Sequence, residues 1–256
     1  MLSGSVMNGE TRAPNDKLRL DLLLFQRGLA ESREKAKALI MAGEVTVNGA
    51  RIEKPGTSVP FSANISIKRP PPFVSRGGLK LAAALDHFSI QVKGRTLLDI
   101  GASTGGFTDC LLRRGADKVI AVDVGYGQLH WSLRQNPKVK ILEKKNARYL
   151  TPGDLDEPVD GAVIDVSFIS LRLIVPPVSR LLLDRSFIVS LVKPQFEVER
   201  HQVGKGGVVR DPLLRREVVE TLIRFFEKEG WNVVGQIPSP VHGPKGNREF
   251  LVYMER

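Results

Sequence analysis

The sequence predicts an α/β protein: a doubly wound, mostly parallel sheet preceded by a small α+β module. Three observations carry this. Thr96 to Asp123 (TLLDIGASTGGFTDCLLRRGADKVIAVD) reads as one βαβ unit around a glycine-rich turn, and strand-length apolar runs alternate with helical patterns from there to the C-terminus. Lys68-Arg69-Pro70-Pro71-Pro72 then separates two differently patterned regions, because three prolines fit neither a helix nor a sheet interior and favour a stiff extended spacer. The expected organisation is a leader over residues 1–16, a module over 17–69, a linker over 70–76 and a larger domain over 77–256.

Residues 1–16 are polar and rich in Gly, Ser, Asn and Pro, so a disordered leader is expected, with Met7 an alternative start. From Lys17 the pattern LRLDLLLFQRGLA predicts a short amphipathic helix ending near Gly28. Ser32 then caps a second helix, Arg33 to Ala42, closed by Gly43. Val45 to Ile52 follows as a hairpin, where Asn48-Gly49 supplies the positive φ values of a two-residue turn. Between Lys17 and Ser75 stand 10 Lys or Arg and 5 Asp or Glu, so this module holds about half of the net charge of +10. Such a balance points to a polyanionic partner.

In the larger domain, Leu81 to Phe88 is a predicted helix with Lys80 at its start, where a cation opposes the helix dipole. Thr96 to Ile100 is a strand, Gly101 to Gly106 a loop, Phe107 to Arg114 a helix stopped by Gly115, and Lys118 to Val122 the next strand. This unit presents a glycine turn and a helix N-terminus to a nucleotide-sized ligand, with Asp123 about 20 positions on, placed for ribose hydroxyls. A dinucleotide fingerprint needs G-x-G-x-x-G, whereas Gly101 is followed by Ala, Ser, Thr and only then Gly105-Gly106. A nicotinamide-dependent oxidoreductase, which would share the fold, is therefore disfavoured. Asp99 before the first glycine would repel phosphate but suits the ammonium and sulfonium of S-adenosylmethionine. The alternative is that Asp99 only caps the strand end and the glycines only make a tight turn.

Cys110, the single cysteine, falls on the apolar side of the helix after the loop and reads as a buried structural thiol; no disulfide framework exists. No segment approaches the ~20 apolar residues of a membrane span and the N-terminus lacks a signal-peptide core, so a cytoplasmic location is the default. The remaining elements are a helix at Gln128 to Arg134, a strand at Val139 to Glu143, and a loop at Asn146-Ala147. After these come a strand at Val159 to Val166, a helix at Ser170 to Leu183 and a strand at Ser186 to Val192. Glu197 to Arg210, rich in glycine and basic residues, reads as a mobile lid. A long helix from Asp211-Pro212 to Gly230 precedes the strands Trp231 to Ile237 and Phe250 to Met254, with Glu249 opening the second.

Open parallel sheets bind ligands beyond their carboxyl ends, where Asp165 and Lys193 end adjacent strands. Moving a methyl group from a sulfonium to a ribose 2′-hydroxyl needs in-line positioning and removal of a proton of very high pKa. A lysine accepts that proton only where desolvation or a neighbouring cation lowers its pKa from ~10.4, and nearby carboxylates oppose this.

Two resemblances complete the reading. R-L-D-x-x-L from Arg19, G-L-A-x-S-R-x-x-A-x-x-L-I from Gly28 and G-x-V-x-V-N-G from Gly43 resemble the alpha-L RNA-binding domain. That resemblance implies RNA contacts at Arg19, Arg33, Lys37 and Lys54. S-R-G-G-L-K, L-D-I-G-A-S-T-G-G-F-T, V-D-V-G-Y-G-Q-L, D-V-S-F-I-S-L, L-V-K-P-Q-F-E and G-N-R-E-F are similar to the TlyA family, the haemolysin-A-like ribosomal RNA 2′-O-methyltransferases. The resemblance implies a Rossmann-like S-adenosylmethionine-dependent methyltransferase sheet with a small N-terminal α+β RNA-binding domain. It implies a catalytic tetrad of Lys80, Asp165, Lys193 and Glu249, with Lys193 as base or orienter of the hydroxyl. It places S-adenosylmethionine on Asp99, Gly101, Ser103, Gly105, Asp123 and Asn146, needs no metal, and makes ribosomal RNA or ribosomal subunits the partner, through a cytidine of the large and in some members the small subunit. A membrane-lytic activity, suggested by the family's historical name, has no apolar span or insertion helix to support it.

Overall fold

The structure, a computed structural model, describes residues 16–30, 32–68 and 72–256. The leader expected before Asp16, and Arg69-Pro70-Pro71 of the spacer, lie outside the described residues. The chain divides into two compact units, Met1–Pro70 and Pro71–Arg256.

The first unit comprises β1 (Lys17–Arg19), α1 (Leu20–Gln26), α2 (Arg33–Met41), β2 (Val45–Val47), β3 (Ala50–Arg51), β4 (Ser58–Pro60) and β5 (Ile65–Ile67). The Ser32 hydroxyl accepts from the Lys35 N–H at 3.1 Å and caps α2 as its sequence requires. Asn48 and Gly49 both take positive φ (51° and 82°), so β2 and β3 close on the expected tight turn. Leu20, Leu23 and Leu24 of α1 pack on Ala36 and Ile40 of α2 and on Val45, Val47 and Val59. Burying each large apolar side chain stabilises by roughly 1.5–3 kcal/mol. The first helix starts later than the pattern suggests. Lys17 to Arg19 pairs antiparallel with Ser58 to Pro60 instead, because Leu18 meets Val59 across that ladder.

One buried charge ties the unit together. Asp21, fully buried, accepts from Arg19 Nε (3.1 Å) and Nη2 (3.1 Å) and from Arg33 Nε (3.0 Å). The hydrogen-bonded Arg19 guanidinium, with Arg33 behind it, holds the Asp21 carboxyl down to about 2 against the upward push of burial.

The second unit is built on a seven-stranded sheet of order β11-β12-β10-β9-β6-β7-β8. Its strands are β6 (Thr96–Ile100), β7 (Lys118–Val122), β8 (Val139–Leu142), β9 (Val159–Ile164), β10 (Leu182–Val192), β11 (Asn232–Pro238) and β12 (Phe250–Glu255). β8, β7, β6, β9 and β10 are parallel; β12 is antiparallel to β10 and to β11. The helices are α3 (Gly77–His87), α4 (Gly106–Arg113), α5 (Trp131–Arg134), α6 (Val175–Ser179) and α7 (Pro212–Lys228). α3 and α4 cover one face through Leu81, Leu85, Phe107 and Leu111; α6 and α7 cover the other through Val175, Val178, Leu222 and Phe226. With both faces covered, all five residues of β6 are buried. Gly161 is required where β9 crosses β10, because a Cβ there would meet the Phe187 ring at 2.7 Å.

Four elements of the second unit differ from expectation. The helix expected over Ser170 to Leu183 is a single 3₁₀ turn, Leu171–Leu173, followed by the five-residue α6. Pro176 and Pro177 have no N–H to continue a helix from upstream, and are accommodated only in the first turn of a new one. The chain then enters β10 four residues earlier than expected, at Leu182. α5 begins at Trp131, where the His130 ring accepts from Ser132 N–H. α3 begins at Gly77, ahead of Lys80, because Gly78 has no Cβ to strike the Phe73 ring.

The Asp21 cluster generates a prediction. A carboxyl held at about 2 in the folded unit and near 4 when unfolded stabilises fully above about pH 4, and that share is lost as the pH falls toward 2. Melting of the protein between pH 5 and pH 2, followed by amide exchange in residues 17–68, is expected to show this loss in the first unit. Asp21→Asn should lower the stability at pH 7 and flatten the acid dependence. An unchanged acid profile in the variant would remove Asp21 as its source.

Candidate active site

All five parallel strands end on one edge, and the strand order reverses between β6 and β9, where open α/β sheets bind ligands. A cavity of about 590 Å³ opens there. Its wall brings together Lys80 of α3, Asp165 after β9, Lys193 after β10 and Glu249 before β12, beside Gly101 and Ser103 of the glycine loop. Asp99, Gly105, Asp123 and Asn146 do not line it.

The four charged groups form two ion pairs. Lys80 Nζ donates to Glu249 Oε2 at 2.6 Å, and Glu249 is fully buried in its side chain. Gly243 makes room for that carboxylate, since a Cβ would run into it. Lys193 Nζ stands 2.6 Å from Asp165 Oδ1, an ion pair outside hydrogen-bond direction, and donates to Ser167 Oγ at 2.9 Å. Lys193 is followed by Pro194 and keeps the extended backbone that X-Pro favours (φ −113°, ψ 98°).

The glycine loop is set by close approach. Gly101 has φ +85°, and a Cβ there would stand 2.5 Å from the Asp165 carbonyl oxygen, so the loop reaches the β9 end only with glycine at this position. Gly105 (φ +92°) packs on Leu129 and Leu133 and precedes α4. Asp123 is half-buried; its Oδ2 accepts from Ser103 N–H at 2.8 Å and its Oδ1 from Gly125 N–H at 2.7 Å. Asn146 is half-buried and its side chain accepts from Arg148 N–H at 3.1 Å. Asp99 is fully buried, with Thr108 Oγ1 donating to its Oδ2 at 2.6 Å and its Oδ1 without a hydrogen-bond partner among the described residues. Burial, seconded by Asp165 and Asp123, pushes its carboxyl up to about 7. Asp99 is thus enclosed in the fold and does not line the cavity. Cys110 is fully buried and burial pushes its thiol up to about 12, the inert structural state expected of it.

Sequence reasoning missed three side chains that shape the cavity. Ser167 holds Lys193. Phe168 is 89% exposed at φ +63°, an uncommon conformation for a bulky residue, and its ring packs against Phe196 at a tilt of 49° with centroids 4.9 Å apart. Glu197 is half-buried and accepts from Ser170 Oγ (2.6 Å) and Leu171 N–H (2.8 Å), which locks the loop that carries Ser167 and Phe168. A polar residue two positions after a strand-end aspartate is the signal for Ser167; Glu197 closes the L-V-K-P-Q-F-E block, but nothing in the block points to the loop it holds. The segment expected as a lid reaches the cavity at Gly206 and Gly207, and Asn247 binds it by accepting from Val209 N–H (3.3 Å) and donating to Gly207 O (2.9 Å). Among the described residues, no group of three or more His, Cys, Asp or Glu is placed to hold a metal ion.

The RNA contacts expected in the first unit divide into two kinds. Arg19 and Arg33 are half-exposed but committed to Asp21, whereas Lys54 is exposed and Lys37 half-buried on α2.

A model of the FtsJ-like methyltransferases matches residues 73–256, and one of the S4 domain matches residues 18–65. The chain is 48% identical over 240 residues to the 16S/23S rRNA (cytidine-2′-O)-methyltransferase TlyA of Mycobacterium tuberculosis, covering 93% of this chain and 90% of the relative. It is 41% identical to Hemolysin A of Brachyspira hyodysenteriae over 237 residues, 92% of this chain and 99% of that one. A solved structure of a Streptococcus thermophilus protein carrying the hemolysin name has a TM-score of 0.72 at 46% identity, over 94% of this chain and 89% of that one. Since one family model spans the whole catalytic unit and these relatives cover nearly the entire chain, the protein belongs to the FtsJ-like methyltransferase family and, within it, to the TlyA group that carries an S4 domain.

Proposed function

We propose that this protein uses S-adenosylmethionine to methylate the 2′-hydroxyl of a cytidine ribose in large-subunit, and also small-subunit, ribosomal RNA, gripping that RNA with its S4-type unit in the cytoplasm. The observation that carries the reading is the convergence of Lys80, Asp165, Lys193 and Glu249 on one cavity wall beside the glycine loop. The names of the relatives point to the same reaction: one is a 16S/23S and another, from Campylobacter jejuni, a 23S rRNA (cytidine-2′-O)-methyltransferase. No helix among the described residues is long and apolar enough to cross a membrane.

The residues present fit S-adenosylmethionine. Gly101 leaves a backbone cradle that a Cβ would fill, and the Asp123 carboxylate is held against the loop by the Ser103 N–H. Each Asp123 oxygen has one backbone donor and a further lone pair for a ribose hydroxyl. Gly101, Ser103, Gly105 and Asn146 would shape the rest of the site, with Asp99 beneath it. When bound, the cofactor supplies an electrophilic methyl group on a sulfonium. The protein's part is to hold the 2′-oxygen in line and to manage its proton. Lys193, as an ammonium, has three donors; Ser167 takes one and Asp165 faces another, which leaves one for the 2′-oxygen. Lys193 acts there as holder of the oxygen or as its base. Lys80 and Glu249 brace the wall from α3 and β12. The exposed Phe168 ring at the mouth offers a stacking face to a base turned out of its helix.

The roles are separable by measurement. Lys193→Ala is expected to bind S-adenosylmethionine and ribosomal RNA but to lose single-turnover methylation by roughly 10² to 10⁴-fold. Lys193→Arg decides between the two roles, because a guanidinium keeps its proton at any usable pH; near-normal methylation by it would eliminate the base and leave the holder.

Asp123→Ala should weaken S-adenosylmethionine binding by about 1.5 to 3 kcal/mol, the worth of a hydrogen bond to a charged group, with RNA affinity retained. Calorimetry showing undiminished cofactor affinity would take Asp123 out of the site.

For the S4-type unit, Lys37→Glu with Lys54→Glu tests RNA binding without touching the Asp21 cluster that Arg33→Glu would break. Affinity for ribosomal RNA and its salt dependence should both fall while cofactor affinity holds. Equal affinity and equal salt slope would exclude these two lysines as phosphate contacts.

A further inference from the structure

The catalytic unit has a second groove of about 590 Å³, distinct from the catalytic cavity. α7 forms one side, through Arg215, Arg216 and Val219, and the β11–β12 edge forms the other, through Pro238 and Arg248. Its position follows from strand direction. β12 runs against the parallel strands, so its start at Phe250, the end of β11 at Pro238 and the start of α7 at Pro212 are all drawn to one region, and all three line the groove. Glu249 lines both hollows, and its carboxylate is turned to Lys80 on the catalytic side. One strand end therefore separates the groove from the ion pairs of the cavity.

The charge of the groove is unbalanced. It has three arginines and two carboxylates; Glu249 is committed to Lys80, and Glu220 to Arg216 at 2.8 Å. Arg215 and Arg248 have no acidic partner among the described residues, and Arg248 is exposed. Stability does not require them there: exposed unpaired arginines contribute little to folding and repel one another. A guanidinium fork matches a phosphate in two parallel hydrogen bonds, a geometry that lysine lacks.

We infer that this groove is a second RNA surface, in which Arg215 and Arg248 hold backbone phosphates of the ribosomal RNA strand that flanks the nucleotide in the cavity. The inference rests on the proposed reading of the cavity, since a strand delivered to it passes along the sheet edge that carries Glu249 and Arg248. It adds to that reading a grip on the catalytic unit, independent of the S4-type unit, that sets which way the strand lies.

The test is the salt dependence of binding to deproteinised ribosomal RNA, with the full chain carrying Arg215→Gln and Arg248→Gln. Loss of two phosphate contacts should weaken binding about tenfold at moderate salt and flatten the plot of log affinity against log salt by about 1.4, at about 0.7 per contact on single-stranded RNA. S-adenosylmethionine affinity and melting temperature should match the wild type, and Arg215→Lys with Arg248→Lys should restore most of the slope. A slope and affinity equal to the wild type would overturn the inference. So would normal RNA binding together with lost binding of poly-glutamate, which would make the groove an acidic-protein site. Wild-type methylation of the same RNA is measured in parallel: its absence would count against the proposed reaction, while the slope comparison still decides the groove.

Discussion

The catalytic unit is organised by the need to bring two lysines and two carboxylates, from four separate elements, into one poorly solvated wall. Lys80 and Glu249 lie 169 residues apart in sequence and meet at 2.6 Å. Such pairs are poor sources of stability, because removing two charges from water offsets most of their attraction, yet losing one partner costs about 3–5 kcal/mol. The arrangement constrains everything around it. β12 must run antiparallel so that its first residues reach the edge where β9 and β10 end. Position 243 must lack a Cβ to admit the Glu249 carboxylate, and position 101 must take a left-handed conformation to let the glycine loop touch the β9 end.

That constraint also explains what could be read in the chain before its structure. Asp165 and Lys193 were legible because each follows a strand-length apolar run, and such ends of a parallel sheet share an edge, whereas Glu249 opens an antiparallel strand and its place beside them came from the family resemblance. Asp99 was legible as a position but not as an environment: adjacent to Gly101 it looks like part of a ligand loop, whereas β6 is covered on both faces and carries it inside. After Ser170 the apolar spacing fits a helix, but Pro176 and Pro177 interrupt it and limit α6 to five residues. The first three residues of the S4-type unit read as helix because leucine fits either structure, and only β4, forty residues on, selects a strand. The role of Glu197 was silent, since it lies in contacts between loops that no local pattern records.

A similar limit applies to the basic residues. Composition gives the number of positive charges but not their engagements, and Arg19 and Arg33 show how much that matters. Both belong to motif blocks of the RNA-binding resemblance, and both are drawn onto Asp21, which aligns the start of α1 with the start of α2. Their half-exposed guanidinium groups retain donors for a phosphate, so holding the fold and meeting RNA are not exclusive. The separable charges are those without such duties.

The two buried pairs are not equivalent, and the difference assigns them different work. Glu249 is enclosed by Gly243 and by Lys80, and its side chain has no exposed surface. Asp165 keeps about a fifth of its side chain exposed, and its partner Lys193 shares its donors with the exposed Ser167. A pair whose carboxylate has no exposed surface can position a wall but cannot offer that carboxylate to a substrate without opening the fold. A pair with one open flank can pass a donor from a serine to an incoming hydroxyl by a small side-chain rotation. The difference in exposure supports the proposed division of labour, in which Lys80 and Glu249 fix the wall and Lys193 with Asp165 is the pair proposed to meet the reacting oxygen.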